Sequence, residues 1–365
     1  MIDLDIESFF EIEPVEDGQL ETPVPVVDLD VVERNVRRWQ VRCDTLGLAN
    51  RPHIKTHKLV GLAKFQLAVG AMGITVQKLG EAEVMAEAGI TDMLITFNIV
   101  SQRKLRRLAA LARRTEISVV ADSAEVVAGL SWAGREAGRE IAVLVECETG
   151  AGRNGVQTPA EAAELASVIG WTEGVRYSGL MTYPAPGTRL TAAAFLAESR
   201  DRINAAGLET QVISSGGSPE MWSDRGLEPV TEYRAGTYVY YDRALLEFGA
   251  CSLEDCALRV RTTVVSVPTP DRAILDAGSK ALTSDLLGLP DHGCVPELSG
   301  ARVYKLNEEH GYLNISGTAG VGVGDVLEVL PNHACPVSNL FDRIALSRGG
   351  RLLGLVRVDA RGLVW

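Results

Sequence analysis

Two hydrophobic patterns divide the chain. Between residues 24 and 234, short runs of Val, Ile and Leu alternate with longer runs that carry an apolar stripe of helical period. The short runs predict strands at residues 24–27, 51–54, 73–76, 93–95, 117–121, 142–146, 177–182, 212–214 and 231–234. The longer runs predict helices at residues 60–68, 78–88, 102–114, 124–137, 160–169 and 192–206. About eight such βα units predict an α/β fold with a (β/α)8 TIM barrel.

The pattern changes beyond Phe248. Val and Ile there alternate with polar residues, Pro and Gly interrupt the runs, and helical stretches are nearly absent. Alternation with a period of two is typical of half-buried β-strands. We therefore expect a βα barrel at residues 20–248 and an all-β domain at residues 249–365, on which residues 1–19 could also pack.

Charge and composition narrow the choice of partners. The 36 basic and 48 acidic residues give a formal net charge of −12, and we find no basic patch with interleaved aromatic residues, so we expect no nucleic-acid partner. The first ten residues lack the pattern of a secretory signal, and no later segment has the roughly 20 apolar residues that span a bilayer. A cytoplasmic protein is expected.

The six cysteines form no CxxC pair, which indicates free thiols or single metal ligands.

The segment NRPHIKTHK, residues 50–58, carries the first candidate for chemistry. Pro52 biases Arg51 towards extended backbone, and a helix is predicted to follow. Lys55 should therefore lie where a strand enters a βα loop, on the catalytic rim of a β/α barrel. A lysine held there among apolar walls can lose its proton near neutral pH and form an imine with an aldehyde. The alternative is a solvated lysine with a pKa of ~10.4.

Two glycine-containing loops follow the last predicted strands. In the segment SSGGS, residues 214–218, hydroxyls and glycines let backbone N–H groups approach an anion closely. In the segment YRAGTY, residues 233–238, another glycine N–H and a tyrosine hydroxyl follow the next strand. Loops at the last two strands match the usual phosphate site of such barrels. The alternative for each loop is an ordinary βα turn.

Arg153 and Tyr183 follow two other predicted strands. Arg153 lies between glycines in the segment GAGRNG, and its charged fork suits a planar oxygen such as a cofactor's phenolate. The alternative is a structural ion pair with Glu146 or Glu148. Tyr183 could pack on a ring or donate a hydrogen bond, and the alternative is a tyrosine of the core.

A possible metal site lies in the β-domain. The segment PNHAC places His333 and Cys335 two residues apart, on the same side of an extended chain. Imidazole and thiolate make half of a zinc site, and two protein ligands leave coordination positions open, as catalysis requires. His292 and Cys294 have the same spacing, and a solvated histidine with a buried cysteine is the alternative. His310 is a further polar group that could line a cleft.

Taken in order, eight segments of the chain resemble fold-type III enzymes that use pyridoxal 5'-phosphate (PLP), and among them the D-threonine aldolase and D-serine dehydratase group. The segments are RPHIKTHK, GAGRNG, MTY, SSGG, YRAGTY, DAGSKALTSD, EEHG and PNHAC. The resemblance spans most of the chain and implies an alanine racemase-like fold, a homodimer, and a divalent metal (Zn, or Mn or Mg) at His333 and Cys335. The implied cofactor-binding residues are Lys55, Gln77, Arg153, Tyr183, Ser215, Gly216, Gly217, Gly236 and Tyr238. His53 and His310 are expected to line the substrate site.

The resemblance also implies a reaction. A PLP- and metal-dependent lyase would act on a D-β-hydroxy-α-amino acid, with Lys55 and His333 as catalytic residues and the metal on the substrate hydroxyl. Retro-aldol cleavage to glycine and an aldehyde is the expected outcome. Cys335 keeps a second outcome open, because the aldolases have aspartate there and cysteine is typical of the dehydratases. A D-serine or D-3-hydroxyaspartate dehydratase would give a 2-oxo acid and ammonia. A non-catalytic PLP-binding protein is a remote third alternative, since such proteins lack the β-domain.

Overall fold

The computed structural model describes residues 4–318 and 320–365 and divides into two compact units. The first, called here the sheet unit, contains residues 4–38, Thr56–Phe65 and Thr237–Gly362. The second, the barrel unit, contains Trp39–Lys55, Gln66–Gly236 and Leu363–Trp365. The domain boundary predicted at residue 248 stays a prediction.

Strands and helices alternate through most of the described residues. The strands are β1 Val24–Asp28, β2 Ala49–Asn50, β3 Ile74–Val76, β4 Asp92–Ile95, β5 Glu116–Ala121, β6 Ile141–Cys147, β7 Val175–Thr182, β8 Val212–Ser215, β9 Glu232–Tyr233, β10 Leu258–Thr269, β11 Arg272–Leu275, β12 Gly293–Cys294, β13 Arg302–Leu306, β14 Gly311–Asn314, β15 Val326–Pro331, β16 Arg343–Arg348 and β17 Arg351–Arg357. The α-helices are α1 Leu29–Leu46, α2 Val60–Val69, α3 Leu79–Glu87, α4 Gln102–Ala112, α5 Ala124–Ala137, α6 Pro159–Gly170, α7 Arg189–Ala205, α8 Arg243–Glu247, α9 Ser279–Leu282 and α10 Ala334–Leu340. Short 3-10 helices lie at Ile6–Phe9, Asp17–Gln19, Ile54–Thr56, Ser218–Glu220, Thr237–Val239 and Leu253–Asp255. Within the described ranges, none of these helices has both the length and the apolar character that crossing a bilayer requires.

The barrel unit is built on an eight-stranded parallel sheet in the order β2-β9-β8-β7-β6-β5-β4-β3. Backbone hydrogen bonds join its two edges, because Asn50 O accepts from Met72 N at 2.9 Å and Pro52 O accepts from Thr75 N at 2.8 Å. A parallel bridge between His53 and Thr75 continues this pairing. The sheet is therefore closed, and the predicted barrel is confirmed.

The elements of the barrel unit follow from local sequence signals. Strand β6 is buried along its whole length, as expected for a parallel strand that is covered on both faces. Helix α5 begins after Ser123, whose hydroxyl accepts a hydrogen bond from Val126 N, and ends at Gly138, which has a left-handed φ of +67°. These two end signals account for the agreement of α5 with the helix predicted at residues 124–137.

Two predicted strands differ from the structure. Residues 24–27 do form β1, but β1 pairs antiparallel with β10 and parallel with β16 in the sheet unit. Its prediction as a barrel strand is wrong, because a short apolar run fits either kind of sheet. The strand expected at residues 51–54 is β2, which ends at Asn50, while Ile54–Thr56 form a 3-10 helix. Pro52 has no N–H to donate, which limits strand pairing at this point.

The sheet unit contains a nine-stranded, mostly antiparallel sheet in the order β11-β14-β13-β12-β15-β10-β1-β16-β17. Buried and less buried residues alternate along the first part of β10, as the sequence predicts. Glu13 N donates to Leu355 O at 2.9 Å and Leu355 N donates to Glu13 O at 2.8 Å. The N-terminal residues thus pair with β17. Helices α9 and α10 lie beyond Phe248, where the sequence indicates almost no helix.

A connected chain of charged and polar side chains joins neighbouring barrel strands. Arg51 donates from Nε to Glu232 Oε2 and from Nη1 to Asp92 Oδ1, both at 2.6 Å. Glu232 Oε1 accepts from Ser214 Oγ at 2.5 Å, and Ser214 Oγ accepts from Arg234 Nε at 2.8 Å. The side chains of Arg51 and Glu232 are only 9% and 4% exposed. Each charge therefore depends on the other to offset its lost hydration.

We expect the substitution Glu232→Gln to lower the free energy of unfolding by about 1.5–3 kcal/mol, because Arg51 loses its buried carboxylate partner and keeps only the more exposed Asp92. The matched control is Glu136→Gln, which breaks the ion pair with Arg113 at side chains that are 53% and 51% exposed. The control substitution should lower the free energy of unfolding by less than about 1 kcal/mol. Urea unfolding followed by circular dichroism measures both values. Equal losses in the two variants would show that burial does not govern the strength of the pair.

Candidate cofactor and metal sites

The cofactor residues predicted for the barrel unit follow the carboxyl ends of six adjacent strands. Around the barrel these strands are β3, β2, β9, β8, β7 and β6. In that order they are followed by Gln77, by His53 and Lys55, by Gly236, by Ser215–Gly217 at the end of β8, by Tyr183 and by Arg153. Parallel strands of a closed barrel end on one rim, so the structure brings these residues to the same rim. Tyr238 is a buried residue of the sheet unit.

Side chains hold the backbone of Lys55. Lys55 N donates to His53 Nδ1 at 3.3 Å, and His53 Nε2 lies 3.1 Å from Gln77 Oε1. Gln77 Nε2 donates to the carbonyl oxygen of Thr96 at 2.9 Å, which leaves Gln77 Oε1 as the acceptor. These bonds assign the ring proton of His53 to Nε2. His53 and Gln77 therefore support the lysine segment, and their contacts with substrate and cofactor stay predictions.

Gly216 and Gly217 lie against aromatic rings, at positions where a side chain would collide. Gly216 has a φ of +96°, and a Cβ there would collide with the ring of Tyr233. A Cβ at Gly217 would lie 2.7 Å from Cε2 of Tyr183. Tyr233 donates its hydroxyl to the carbonyl oxygen of Gly217 at 3.0 Å, which fixes the loop. The two rings thus require glycine at both positions, and the binding of a phosphate by the backbone N–H groups of this loop stays a prediction.

Arg153 lies over an aromatic ring. Its guanidinium carbon is 5.0 Å from the ring centroid of Tyr183, a distance at which cation–π attraction operates. Glu148, an alternative partner of Arg153, accepts a hydrogen bond from Gly150 N at 2.9 Å. Arg153 and Tyr183, which are separate candidates in the sequence, thus contact each other in the structure. Their interaction with a cofactor stays a prediction.

Glu146 is a buried carboxyl near the end of β6. Burial raises its pKa to about 7, although the charges of Arg234 and Arg153 act in the opposite direction. Asn154 Nδ2 donates to Glu146 Oε2 at 2.6 Å. The carboxyl therefore gains or loses a proton near neutral pH, on a strand that precedes one of the cofactor candidates.

We expect Glu146 to make the folded state less favourable as the pH rises from about 4.5 to about 7. In this interval the folded protein retains a proton that the unfolded chain has lost, so the free energy of unfolding falls by at most about 3 kcal/mol. Glu146→Gln removes the titration. Relative to the variant, the parent should lose stability across the interval and not at higher pH.

Urea unfolding at a series of pH values measures this difference. Glu164→Gln, at an exposed carboxyl of the same unit, is the control and should show no such trend. A parent and a Glu146→Gln variant with parallel pH profiles would contradict the raised pKa of Glu146.

His333 and Cys335 meet in the sheet unit, but their segment is not extended throughout. His333 has an extended backbone and precedes α10, whereas Cys335 lies in the first turn of that helix. Asp242 Oδ2 accepts from Ala334 N at 3.1 Å, which favours the start of the helix and explains the difference from the sequence prediction. The side chains of His333 and Cys335 hydrogen-bond nevertheless. Burial lowers the pKa of His333, but Cys335 and Asp285 raise it more strongly, to about 9.

Hydroxyl groups lie around the sulfur of Cys335. Thr56 Oγ1 is 3.1 Å and Thr237 Oγ1 is 3.6 Å from Cys335 Sγ. The buried hydroxyl of Tyr240 has no hydrogen-bond partner among residues 4–318 and 320–365, and its pKa is raised by burial and by Cys335. Buried hydroxyls can donate to a thiolate, and a thiolate with an imidazole suits a soft divalent ion. The side chains of His333 and Cys335 therefore suit the predicted divalent metal.

The metal-type residues of the described chain do not form a larger cluster. Across the described ranges, no three or more His, Cys, Asp or Glu side chains come together in a way that could hold one ion. Cys294 of the second His-x-Cys pair is buried, and His310 is exposed between β13 and β14. The sequence does not single out Asp285 or Tyr240. Only the position of Asp285 at the end of DAGSKALTSD could have pointed to it.

A closed parallel barrel with a lysine on its catalytic rim, and an antiparallel sheet unit, define a protein of the alanine racemase type. Family models match both parts of the chain. Residues 27–244 match the alanine racemase N-terminal domain, and residues 257–347 match a serine dehydratase domain. The chain belongs to the family of the alanine racemase N-terminal domain, and the predicted fold class is confirmed.

Two relatives cover nearly the whole chain. The chain is 34% identical over 362 residues to D-threonine aldolase from Arthrobacter sp, with 94% of each protein covered. It is 35% identical over 355 residues to D-threo-3-hydroxyaspartate dehydratase from Delftia sp. (strain HT23), with 88% of this chain and 93% of that protein covered. The predicted membership of the D-threonine aldolase and D-serine dehydratase group is confirmed.

Solved structures of related proteins support the same family. The crystal structure of D-threonine aldolase from Filomicrobium marinum has a TM-score of 0.87 at 30% identity and covers 96% of this chain and 99% of that one. A cysteine-to-alanine mutant of D-threo-3-hydroxyaspartate dehydratase in the metal-free form has a TM-score of 0.83 at 31% identity, with 93% and 97% covered. Aldolases and dehydratases of this kind are lyases, and the prediction of an enzyme of that class is confirmed.

Proposed function

We propose that the protein is a PLP- and divalent-metal-dependent lyase that cleaves a D-β-hydroxy-α-amino acid by a retro-aldol reaction to glycine and an aldehyde. The observation that carries the proposal is on the barrel rim, where Lys55 follows β2 and the Gly216–Gly217 loop follows β8. A lysine and an anion-binding loop on one rim suit a cofactor that has both an aldehyde and a phosphate. The 34% identity to D-threonine aldolase supports the aldol reaction.

The residues on the rim would hold the cofactor from several sides. Lys55 would bind it covalently, and Arg153 would donate to its phenolate oxygen with Tyr183 and Gln77 beside it. The phosphate would be held by Ser215, Gly216, Gly217 and Gly236, and Tyr238 is predicted with them from the resemblance alone. When bound, the pyridine ring supplies an electron sink for bond breaking at Cα. The cation–π contact of Arg153 supports this proposal, since it orients the guanidinium before the cofactor binds.

His333 and Cys335 would hold the divalent ion. Its Lewis acidity would promote loss of a proton from the substrate hydroxyl. A thiolate ligand favours zinc over manganese or magnesium. The hydrogen bond between the two side chains supports a shared ion, and so does the metal-free form described for the mutant dehydratase. His53 and His310 stay candidates for substrate contacts. The homodimer that the resemblance implies is part of the same proposal.

A dehydratase is the second candidate. Cys335 and the 35% identity to D-threo-3-hydroxyaspartate dehydratase favour it. In this reaction Lys55 would accept the Cα proton of D-serine or D-3-hydroxyaspartate, and hydroxide would leave from Cβ. Hydrolysis of the product would give a 2-oxo acid and ammonia. Both reactions use the same residues, so the products distinguish them.

We expect borohydride to fix the cofactor to Lys55, because reduction of an imine makes the bond permanent. Peptide mass spectrometry should find the cofactor on the peptide that contains Lys55, and Lys55→Ala should abolish both the label and the visible absorption of bound cofactor. The control is Lys280→Ala, at an exposed side chain that pairs with Glu309, and it should keep the label. Label on Lys58 or Lys280 would show that another lysine carries the cofactor.

We expect incubation with D-threonine, D-serine and both D-epimers of 3-hydroxyaspartate to release glycine, detected by chromatography. Chelation should stop the reaction and leave the cofactor absorption and the fold largely intact, because an open two-ligand site contributes little folding energy. Cys335→Asp supplies a hard oxygen, so it should shift the metal preference towards manganese or magnesium and lower any ammonia release relative to glycine.

The same assay separates the two candidate reactions. Ammonia without glycine would establish the dehydratase. Full activity after exhaustive chelation would contradict the metal at His333 and Cys335 while leaving the PLP part of the proposal intact.

A further inference from the structure

The imidazole of His333 has a carboxylate partner in addition to Cys335. Its Nδ1 lies 2.7 Å from Asp285 Oδ2, the distance of a strong charge-assisted hydrogen bond. Since Nδ1 contacts Asp285, Nε2 is the ring nitrogen that remains for a metal. The side chain of His333 is 24% exposed and that of Asp285 is 42% exposed, so the pair lies at the edge of the interior.

The loop that carries Asp285 has an unusual backbone. Thr283 has φ 62° and ψ 159°, a region that is nearly restricted to glycine, and Leu287 has φ 48°. Asp285 N donates to Thr283 Oγ1 at 3.3 Å, and Asp285 Oδ1 accepts from Leu287 N at 3.4 Å. One carboxylate oxygen therefore contacts its own loop, and the other contacts His333. The loop keeps an unfavourable conformation in which the carboxylate reaches the ring.

The residues on both sides of His333 are held independently. Asn332 O accepts from Ala244 N at 3.2 Å, and the Asn332 side chain accepts from Arg243 Nη1 at 3.2 Å and donates to Asp291 O at 2.5 Å. On the other side, Ala334 N donates to Asp242 Oδ2. With the backbone held in this way, rotation of the imidazole is the main freedom that remains. Two contacts set that rotation, one with Cys335 and one with Asp285, and Asp285 holds the Nδ1 side of the ring.

We propose that Asp285 is a positioning residue of the metal site. By accepting the Nδ1 proton of His333 it fixes the tautomer, points Nε2 towards the ion and makes the imidazole a better donor. The inference rests on the proposed metal role of His333 and Cys335. It adds a residue that is not a ligand, and it predicts that metal affinity depends on a carboxylate that never touches the metal.

The test measures metal affinity in the full-length protein. After the metal is stripped with a chelator, zinc chloride is titrated into the parent and the variants, and binding is followed by calorimetry. Asp285→Ala should weaken zinc binding by about 10- to 100-fold. Asp285→Asn should lose less, because the amide oxygen still accepts the Nδ1 proton. The matched control is Asp325→Ala, which removes a carboxylate of the same unit that accepts from Gly322 N at 2.7 Å, and it should bind zinc as the parent does.

A second readout separates positioning from general stability. Cobalt(II) added to the stripped protein should give a d–d spectrum that changes in Asp285→Ala, since the ligand field depends on the orientation of the imidazole. Parental affinity and an unchanged cobalt spectrum in a folded Asp285→Ala variant would overturn the inference. A different outcome would overturn the proposed metal site itself, namely a parent that binds no zinc or a His333→Ala variant that binds it with parental affinity.

Discussion

Closure of the parallel barrel depends on a strand of only two residues, β2 at Ala49–Asn50. It pairs with β9 on one side, and the chain that follows it bonds to β3 on the other. Lys55 follows this strand directly. The pairing that closes the barrel therefore also sets the lysine between Gln77, which follows β3, and Gly236, which follows β9. From there the glycine loop after β8, Tyr183 and Arg153 continue along the rim. A shift in β2 would thus displace Lys55 relative to every other cofactor candidate of the barrel unit.

Buried charge lies on or beside the same strands. Glu232 lies on β9 and Glu146 on β6, whereas Arg51 and Arg234 come directly after β2 and β9. Parallel barrel strands are usually filled with branched apolar side chains, so these charges cost hydration that only their partners offset. Arg51 reaches Asp92, the first residue of β4, so this ion pair lies towards the amino ends of the strands and not at the rim. Loss of one of its charges would therefore act first on the stability of the barrel.

Sequence alone predicts the elements with strong local signals. Helix α5 agrees with its prediction because Ser123 and Gly138 mark both ends. Helix α1 was not predicted, although Leu29, Val32 and Val36 have helical spacing and are buried, because the apolar run of β1 precedes it without a break.

Features that depend on pairing between residues far apart in the chain are not predicted from the sequence. The placement of β1 beside β10 joins residues more than two hundred positions apart. The contact between His333 and Asp285 spans 48 positions, and no spacing rule connects them. Tyr183, Arg153 and the Gly216–Gly217 loop follow strands whose apolar runs are visible in the sequence, whereas Lys55 follows the two-residue β2, which lies before the strand predicted at residues 51–54. No strand pattern in the sequence marks Asp285, which contacts His333.

Aldol cleavage and dehydration differ in what happens to the Cα proton. In both reactions negative charge develops on the same substrate oxygen, because one removes its proton and the other removes the oxygen with its bonding electrons. A cation held by His333 and Cys335, as proposed, would assist either outcome, so the identity of its second ligand would change the ratio of the two reactions without excluding one. Dehydration requires removal of the Cα proton, and aldol cleavage requires that this proton stay. Lys55 is the proposed base for that step. The hydrogen bond of the Lys55 N–H to His53 Nδ1 at 3.3 Å holds the backbone from which this base would reach Cα, so the contact between His53 and Lys55 bears directly on the choice between the two reactions.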